Sequence, residues 1–385
     1  MNAIYFDHAA TTPVDPRVLE AMLPYFSERA GNASEIHAWG REAHEALERA
    51  RAQVAAGLGA HEREIVFTSG GTESDNLAVV GLLQLEQPGH VVISAIEHPA
   101  VTAAAGFLER LGWEVSRVPV DRTGTVDLEA LAAALRPDTR LVSLMLANNV
   151  VGTVQPVREA AALAREHGVV VHTDAVQAVG AVPIDVDELG VDLLSLSAHK
   201  IYGPKGIGAL YVRRGVKVRP LIHGGGQERA LRSGTENVAG AVGLGAAVEL
   251  ALRVLPETAS HVSALRDRLT AGILSAVPDV ELLGHPTRRL PGNVCVSVHF
   301  IEGESMVLRL DRVGIAVSSG SACASQSLEP SQVITSMGYD AVAAHGSLRL
   351  SLGRENTTAE VERFLEVFPA IVADLRAMSP LSATR

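Results

Sequence analysis

Lys200 stands at a position where a lysine is costly to bury. It closely follows the apolar run at residues 191–196, a pattern typical of a buried strand in a parallel sheet. An imine-linked amine would explain the lysine, because a Schiff base is the usual covalent use of this side chain. Gly203 and Pro204 then interrupt regular structure and bring the backbone close to whatever Lys200 holds. A surface loop that carries two lysines, Lys200 and Lys205, is the alternative interpretation.

A second stretch has the pattern of a phosphate-binding turn. The short strand at residues 64–68 leads into Gly70, Gly71 and Thr72, and a helical pattern follows. In such a turn backbone N–H groups point at the anion, and the helix dipole favours its charge. The spacing is neither that of a Walker loop nor that of the dinucleotide fingerprint. We expect Gly71 and Thr72 to bind phosphate, and an ordinary helix N-cap is the alternative.

Further polar residues follow other predicted strands, at the point where each strand ends. In open parallel sheets the ligand crevice lies at the carboxyl ends of the strands. We therefore expect these side chains to converge with Thr72 and Lys200 on one pocket, although they are far apart in the chain. The residues are His98, Asn149, Asp174, Gln177 and His199.

This combination of side chains is the set that pyridoxal phosphate (PLP) requires. The cofactor needs a lysine for its covalent link, an acid that keeps the ring nitrogen protonated, a planar group stacked on the ring and a phosphate-binding turn. A helix N-cap is the alternative role for Asp174, and a loop histidine before a proline is the alternative for His98. We assign Lys200 to the covalent link, Asp174 to the ring nitrogen, His98 to the ring face, Gln177 and Asn149 to the ring hydroxyl and nearby atoms, and Thr72, Ser197 and His199 to the phosphate.

The two cysteines have different surroundings. Cys323 lies among small polar residues at 318–327, which predicts an exposed thiolate nucleophile, with an incidental loop cysteine as the alternative. Cys295 alternates with valines and is predicted to be a small buried hydrophobe. No second cysteine or histidine stands at ligand spacing from Cys323, so no metal site is predicted.

Arg349 lies within the predicted strand at residues 347–352, where a charge needs a partner. The carboxylate of a substrate, held by the guanidinium fork, would supply that partner. An internal salt bridge with an acid such as Asp311 is the alternative.

The elements that must position these residues alternate between strand and helix. Predicted strands at 90–94, 113–118, 139–146 and 169–172 are separated by helical patterns, which favours an α/β fold with a mostly parallel seven-stranded sheet flanked by helices. A chain of 385 residues exceeds one typical core. We expect a large domain at 15–257 and a smaller α+β domain formed by 1–14 and 258–385, which carries the cysteine loop at about 318–330.

Composition narrows the possible partners and the location. The formal net charge is −11 and no basic stripe is present, so nucleic acid is not an expected partner. We find no signal-peptide pattern and no apolar run that approaches the length of a membrane span. The two widely separated cysteines favour a reducing cytoplasm without a structural disulfide.

The motifs also carry a family resemblance that extends over essentially the whole chain. The chain resembles the cysteine desulfurases of the NifS/IscS type, within the class V aminotransferase superfamily and the type I PLP fold. The motifs are YFDHAATTP, TSGGTESDN, AIEHPAV, HTDAVQAVG, SAHKIYGPKGIGALYVR, RSGTEN, SSGSACAS and LRLSLGR. The cysteine motif is similar to that of the group with a long mobile cysteine loop. Val150 departs from the family, which often has glutamate after the two asparagines.

The resemblance implies a reaction and partners. L-cysteine would become L-alanine, with Arg349 on its carboxylate, Lys200 as base, His98 as acid/base and sulfur transferred to Cys323 as a persulfide. An acceptor for iron–sulfur cluster assembly or tRNA thiolation would then take the sulfur. Thr235 would reach the phosphate in the partner subunit, which implies a homodimer.

Two other functions remain open from the residues. One is a different PLP lyase or transaminase, for example one that acts on selenocysteine, for which Cys323 would be dispensable. The other is a sulfur carrier or assembly partner without catalysis.

Overall fold

The structure is a computed structural model that describes residues 3–320 and 329–379. Within these ranges the chain contains three sheets and the helices that cover them. The strands are β1 Ile4–Tyr5, β2 Ile65–Thr68, β3 His90–Ser94, β4 Glu114–Val118, β5 Thr139–Ser143, β6 Val170–Asp174, β7 Leu193–Ser197, β8 Gly208–Val212, β9 Val280–Leu283, β10 Asn293–Val298, β11 Ile315–Ala316, β12 Ser318–Ser319 and β13 Ser347–Ser351. The helices are α1 Pro16–Met22, α2 Ala38–Leu58, α3 Gly71–Leu83, α4 Pro99–Arg110, α5 Leu128–Ala134, α6 Val157–Glu166, α7 Val186–Leu189, α8 Val238–Ala276, α9 Gly303–Arg312, α10 Gln332–Ser336, α11 Ala341–His345 and α12 Thr358–Met378.

The largest sheet has seven strands in the order β2-β8-β7-β6-β5-β3-β4. The pairs from β7 to β4 are parallel, and β8 is antiparallel to both of its neighbours. The predicted fold class, with a mostly parallel seven-stranded sheet, is therefore confirmed. Helix crossovers between parallel strands explain the alternating pattern of the sequence.

Apolar side chains on both faces hold this sheet between helices. Val92 points into a core that α2, α6 and α8 share. Its neighbours Val91 and Ile93 point into a second core with α3 and α4 on the other face. Because successive strand residues face opposite sides, a continuous apolar run is what a sheet covered on both faces requires.

A smaller antiparallel sheet, in the order β12-β13-β10-β9, has its own apolar core. Residues of α9, α12 and the second half of α8 contribute to that core. The N-terminal strand β1 pairs with β11, so the first residues of the chain lie beside the C-terminal part. The residue limits given above for the two domains remain a prediction.

The helical patterns of the sequence at about 238–254 and 261–275 predict two helices, and helix α8 differs from that prediction. The structure has one helix across both segments, and Pro256 lies inside it. Contacts of α8 with α2 and α12 support it on both sides of the proline. The helix has a window of mean hydropathy 1.8, so an apolar run of membrane-spanning length does exist, contrary to expectation. Since 67% of that window is buried within the protein, the run is also what a core helix would show.

Candidate active site

A cavity of about 310 Å³ lies at the carboxyl ends of the parallel strands. Side chains from successive strand ends and from β13 line it together. The predicted site residues among them are Gly71, Thr72, His98, Asn149, Asp174, Gln177, Ser197, His199, Lys200 and Arg349. The expected convergence on one pocket is thus what the structure shows, while the role of each residue toward a cofactor remains a prediction.

Lys200 ends a short 3₁₀ turn directly after β7 and points into this cavity. Its Nζ atom donates to the carbonyl oxygens of Ala9 at 2.5 Å and Ala10 at 2.7 Å. The amide of Gln177 also donates to the Ala9 oxygen, at 2.9 Å. The N-terminal segment therefore holds the amine at the wall of the cavity, and Lys200 is not part of a simple surface loop.

Asp174 is the last residue of β6 and is buried. Its Oδ1 atom accepts a hydrogen bond from the backbone N–H of Val176 at 2.9 Å. Burial raises the pKa of this carboxyl, whereas the Val176 bond and the charges of His98 and Lys200 act in the opposite direction. No helix begins here, so the N-cap alternative is wrong. A carboxylate that accepts one backbone bond and lies near the Lys200 charge suits a protonated ring nitrogen.

His98 is the N-cap of α4, and its Nδ1 atom accepts from the backbone N–H of Ala100 at 3.1 Å. Burial lowers the pKa of the ring, and nearby Lys200 acts in the same direction. The neutral ring therefore carries its proton on Nε2, because Nδ1 is an acceptor. The His98 side chain therefore both caps α4 and lines the cavity.

The turn between β2 and α3 has the shape of an anion cradle. Gly70 has φ +152°, and a Cβ on Gly71 would lie 2.7 Å from Cγ2 of Val176, so both positions require glycine. The His199 ring, whose Nδ1 lies 3.1 Å from the Thr11 hydroxyl, stands nearby in the cavity wall. Burial and two lysines lower the pKa of His199 to about 4, so the ring is neutral. A cradle at a helix N-terminus fits a phosphate group.

Arg349 is almost fully buried in β13 and reaches the same cavity. Its Nη2 donates to Asp7 Oδ1 at 2.8 Å, and Nη1 donates to the Asn149 carbonyl at 3.0 Å. The internal salt bridge given above as the alternative is therefore present, but its acid is Asp7, and the example of Asp311 is wrong. Asp7 is the partner because the segment after β1 runs beside β13, where Asp7 forms a bridge with Ser351. The Nε atom of Arg349 is buried without a hydrogen-bond partner in the described part of the chain.

Two other predicted residues, Thr235 and Cys295, do not line the cavity. Thr235 is exposed and does not line the cavity. Cys323 lies outside the described residues. The two described residues that flank its segment, Gly320 and Glu329, line a neighbouring cavity of about 180 Å³ together with Arg349. Cys295 is fully buried, as predicted, and burial raises the pKa of its thiol to about 12.

Val150 occupies a small apolar cluster beside the cavity. It packs in the same cluster as Ile334 and Met337, next to α10. The preceding Asn148 accepts hydrogen bonds from the backbone N–H groups of Val150 at 2.9 Å and Val151 at 3.0 Å. Val150 therefore occupies the position where the family often has a glutamate, and it lies in a turn held by Asn148 and in an apolar cluster.

The sequence reasoning missed several residues of the site. Asp75 lines the cavity, and its spacing of three from Thr72 on one helix could have indicated it. Asp7 and the carbonyls of Ala9 and Ala10 carried no comparable signal, since their contacts depend on residues far along the chain.

Comparison with known proteins decides the family. The class-V aminotransferase family matches residues 4–364. A cysteine desulfurase IscS of Methanosarcina thermophila is 53% identical over 99% of this chain and 95% of that relative. The chain belongs to the class V aminotransferases, in the cysteine desulfurase family. A NifS-like protein has a similar structure, with a TM-score of 0.91 and 40% identity over 97% of this chain and 100% of the other. SspA in complex with cysteine has a TM-score of 0.81 and 38% identity over 92% and 100% of the chains.

As a cysteine desulfurase family member, the protein uses PLP, which confirms the predicted cofactor. The residues present fit that group. The glycine cradle suits its phosphate, the Lys200 amine points into the cavity, and Asp174 is a buried carboxyl within reach of the same space.

Proposed function

We propose that the protein converts L-cysteine to L-alanine and receives the sulfur on Cys323 as a persulfide, which then passes to an acceptor. The observation that carries the proposal is the shared cavity. It brings the Lys200 amine, the Asp174 carboxyl and the Arg349 guanidinium together in a chain of the cysteine desulfurase family.

Before sulfur transfer, different residues bind the substrate, remove its Cα proton and support the cofactor. Bound PLP supplies an electron-accepting ring that stabilises negative charge at the substrate Cα. Arg349, which lines the cavity, binds the substrate carboxylate through its guanidinium group. Lys200 Nζ takes the proton from Cα, and Asp174 supports the protonated ring nitrogen. His98, neutral and protonated on Nε2, donates that proton close to the reacting atoms and can take one back at Nε2 afterwards.

The transfer of sulfur to Cys323 needs no oxidant or reductant other than the enzyme thiolate and the substrate. The Cys323 thiolate attacks the substrate sulfur and forms an S–S bond. The C–S bond breaks, and its electron pair stays on carbon, which takes up a proton and becomes the methyl group of alanine. The enzyme sulfur is oxidised and the substrate carbon is reduced.

Replacing each cysteine in turn tests this function. We expect Cys323→Ala to bind PLP with an unchanged visible absorbance and to lose sulfide release from L-cysteine in the presence of a thiol. Cys295→Ala is the matched control, because Cys295 is buried and does not line the cavity, and it should retain turnover. Sulfide release at the wild-type rate by Cys323→Ala would refute the persulfide assignment. Turnover of selenocysteine alone by both proteins would favour a selenocysteine lyase instead.

We further propose that the protein is a homodimer. Large apolar side chains are exposed on consecutive elements near the N-terminus, and Ile36 is 89% exposed. A second copy of the chain would cover such a surface. The exposed residues are Leu19, Leu23, Phe26, Ile36 and Trp39. Sedimentation equilibrium of the PLP-bound protein tests the proposal, and a monomer at micromolar concentration would contradict it.

The acceptor and the location are proposals as well. We propose an iron–sulfur scaffold or a tRNA-thiolation protein as acceptor, in the cytoplasm, where thiols remain reduced. Incubating the enzyme with radiolabelled cysteine and a cytoplasmic extract would show which protein takes up the label. Label confined to the enzyme itself would argue against transfer to a protein acceptor.

A further inference from the structure

Asp75 is a second buried carboxyl group, and it lies beside Asp174, the residue assigned to the ring nitrogen of the cofactor. Asp75 lies near the start of α3, is 1% exposed and lines the same cavity. One oxygen of Asp75, one oxygen of Asp174 and one ring nitrogen of His98 all lie within 4.8 Å of one another. Two carboxylates so close together in a buried site cannot both ionise without a large electrostatic cost.

The surroundings of the two carboxyl groups differ. Asp174 accepts the Val176 N–H bond, and the positive charge of Lys200 also favours its ionised form. Oδ1 of Asp75 is buried without a hydrogen-bond partner in residues 3–320 and 329–379. Lys200, the cation of this part of the site, therefore acts on Asp174, whereas the Ser195 hydroxyl is the group that favours ionisation of Asp75.

The remaining neighbours of Asp75 do not supply a positive charge. His172, on β6, has its Nε2 3.6 Å from Asp75 Oδ1. The His172 ring lies between the hydroxyls of Ser143 at 2.8 Å and Ser195 at 3.0 Å. Burial lowers the pKa of His172 to about 3, so the ring is neutral. Burial, Asp174 and Glu97 raise the pKa of Asp75, and the hydrogen bond from the Ser195 hydroxyl lowers it only in part.

We propose that Asp75 is a positioning residue that keeps the single proton of this carboxyl pair, so that Asp174 is the carboxylate that faces the ring nitrogen. The neutral carboxyl of Asp75 lies beside Asp174 without adding a second negative charge to the cavity. The negative charge of the pair therefore stays on Asp174, the carboxyl group that Lys200 acts on. The inference concerns the cofactor site and is independent of the sulfur acceptor.

Infrared spectroscopy of the PLP-bound protein tests where the proton lies. A protonated carboxyl group has a C=O stretching band that a carboxylate lacks. Burial raises the pKa of Glu97 to about 8, so a second band is expected from a glutamic acid. Labelling the carboxyl groups of all aspartates with ¹³C separates the two, since only an aspartic acid band shifts. We expect one shifted band in wild type near neutral pH, lost in Asp75→Asn and kept in the matched variant Glu97→Gln.

Affinity for PLP gives an independent readout. Asp75→Asn replaces a neutral polar group by another of similar size, so we expect the dissociation constant of PLP to stay within about threefold of wild type. Asp174→Asn removes the charge that faces the ring nitrogen and should weaken PLP binding by about tenfold or more.

Three results would overturn the proposal. They are a wild-type protein without an aspartic acid band, a band that survives in Asp75→Asn, and a loss of PLP affinity in Asp75→Asn as large as that in Asp174→Asn. The labelled wild-type measurement needs no substitution, so it decides the question even if a variant fails to fold.

Discussion

At the scale of single residues, each of the two cations of the site, Lys200 and Arg349, already has oxygen partners within the protein. The ammonium of Lys200 is held by the carbonyls of Ala9 and Ala10, and the guanidinium of Arg349 is held by Asp7. Burial of these cations is tolerable because each has oxygen partners. Substrate and cofactor therefore enter a site in which the cations are already oriented.

Arg349 permits a direct test of carboxylate binding. We expect Arg349→Lys to raise the KM for L-cysteine by about 10- to 100-fold with a smaller effect on kcat, because a point charge replaces a planar fork. The measurement is steady-state alanine formation at saturating PLP. Arg354→Lys is the matched control, since Arg354 binds Asp15, contacts the Tyr202 ring and does not line the active-site cavity. An unchanged KM in Arg349→Lys would exclude the assigned role.

At the scale of elements, the turn at residues 226–231 has an unusual backbone. Three consecutive residues have positive φ angles: Glu228 at 45°, Arg229 at 55° and Ala230 at 61°. Glu228 is held by a buried ion pair with Arg51 at 2.7 Å and by the N–H of Phe67 at 2.8 Å. Arg229 donates to the carbonyl of Ile65 at 2.5 Å. Side-chain contacts therefore offset the strain at the first two positions, whereas the alanine has only a methyl group.

Ala230 is consequently a site where glycine should stabilise the protein. We expect Ala230→Gly to raise the free energy of unfolding by about 0.5–1 kcal/mol, because the left-handed conformation costs alanine more than it costs glycine. Chemical denaturation monitored by circular dichroism measures the change. Ala103→Gly, in the exposed middle of α4, is the control and should lower stability by about 1 kcal/mol. An equal loss of unfolding free energy in both variants would contradict the conclusion that the backbone of Ala230 is strained.

At the scale of the whole molecule, the cavity is assembled from parts that are distant in the chain. The parallel sheet supplies Asp174 and Lys200, the segment after β1 supplies Ala9 and Ala10, and the antiparallel sheet supplies Arg349. Thr235 is the predicted site residue that the described chain leaves on its surface. A contribution of Thr235 to the site of a second subunit would account for that exposure.

Mixed dimers test shared sites. Lys200→Ala and Thr235→Ala chains should each be weakly active at limiting PLP. In a mixed dimer, one site would combine the intact Lys200 of one chain with the intact Thr235 of the other. Random mixing should therefore restore about a quarter of the wild-type activity per chain, because half of the dimers contain one intact site of two. Activity equal to the sum of the separate variants would show that the sites are not shared.

The sequence alone determined the chemistry and the framework of the site. Apolar runs separated by helical patterns predict a parallel sheet, and such a sheet brings its carboxyl ends to one edge. His98, Asp174 and Lys200 could therefore be placed together although no local contact joins them. Their residue types then favoured PLP, because few cofactors need an amine, an acid and a phosphate turn at once.

Only the tertiary structure decided which groups support those residues. Arg349 pairs with Asp7 and not with Asp311, and the oxygens that hold Lys200 belong to Ala9 and Ala10. These contacts join the first ten residues to Lys200 and Arg349, far along the chain, and no period or motif in the sequence encodes partners so distant. The same reason applies to Asp75 and Asp174. Their proximity, which sets the charge of the site, arises only when helix α3 packs against the sheet.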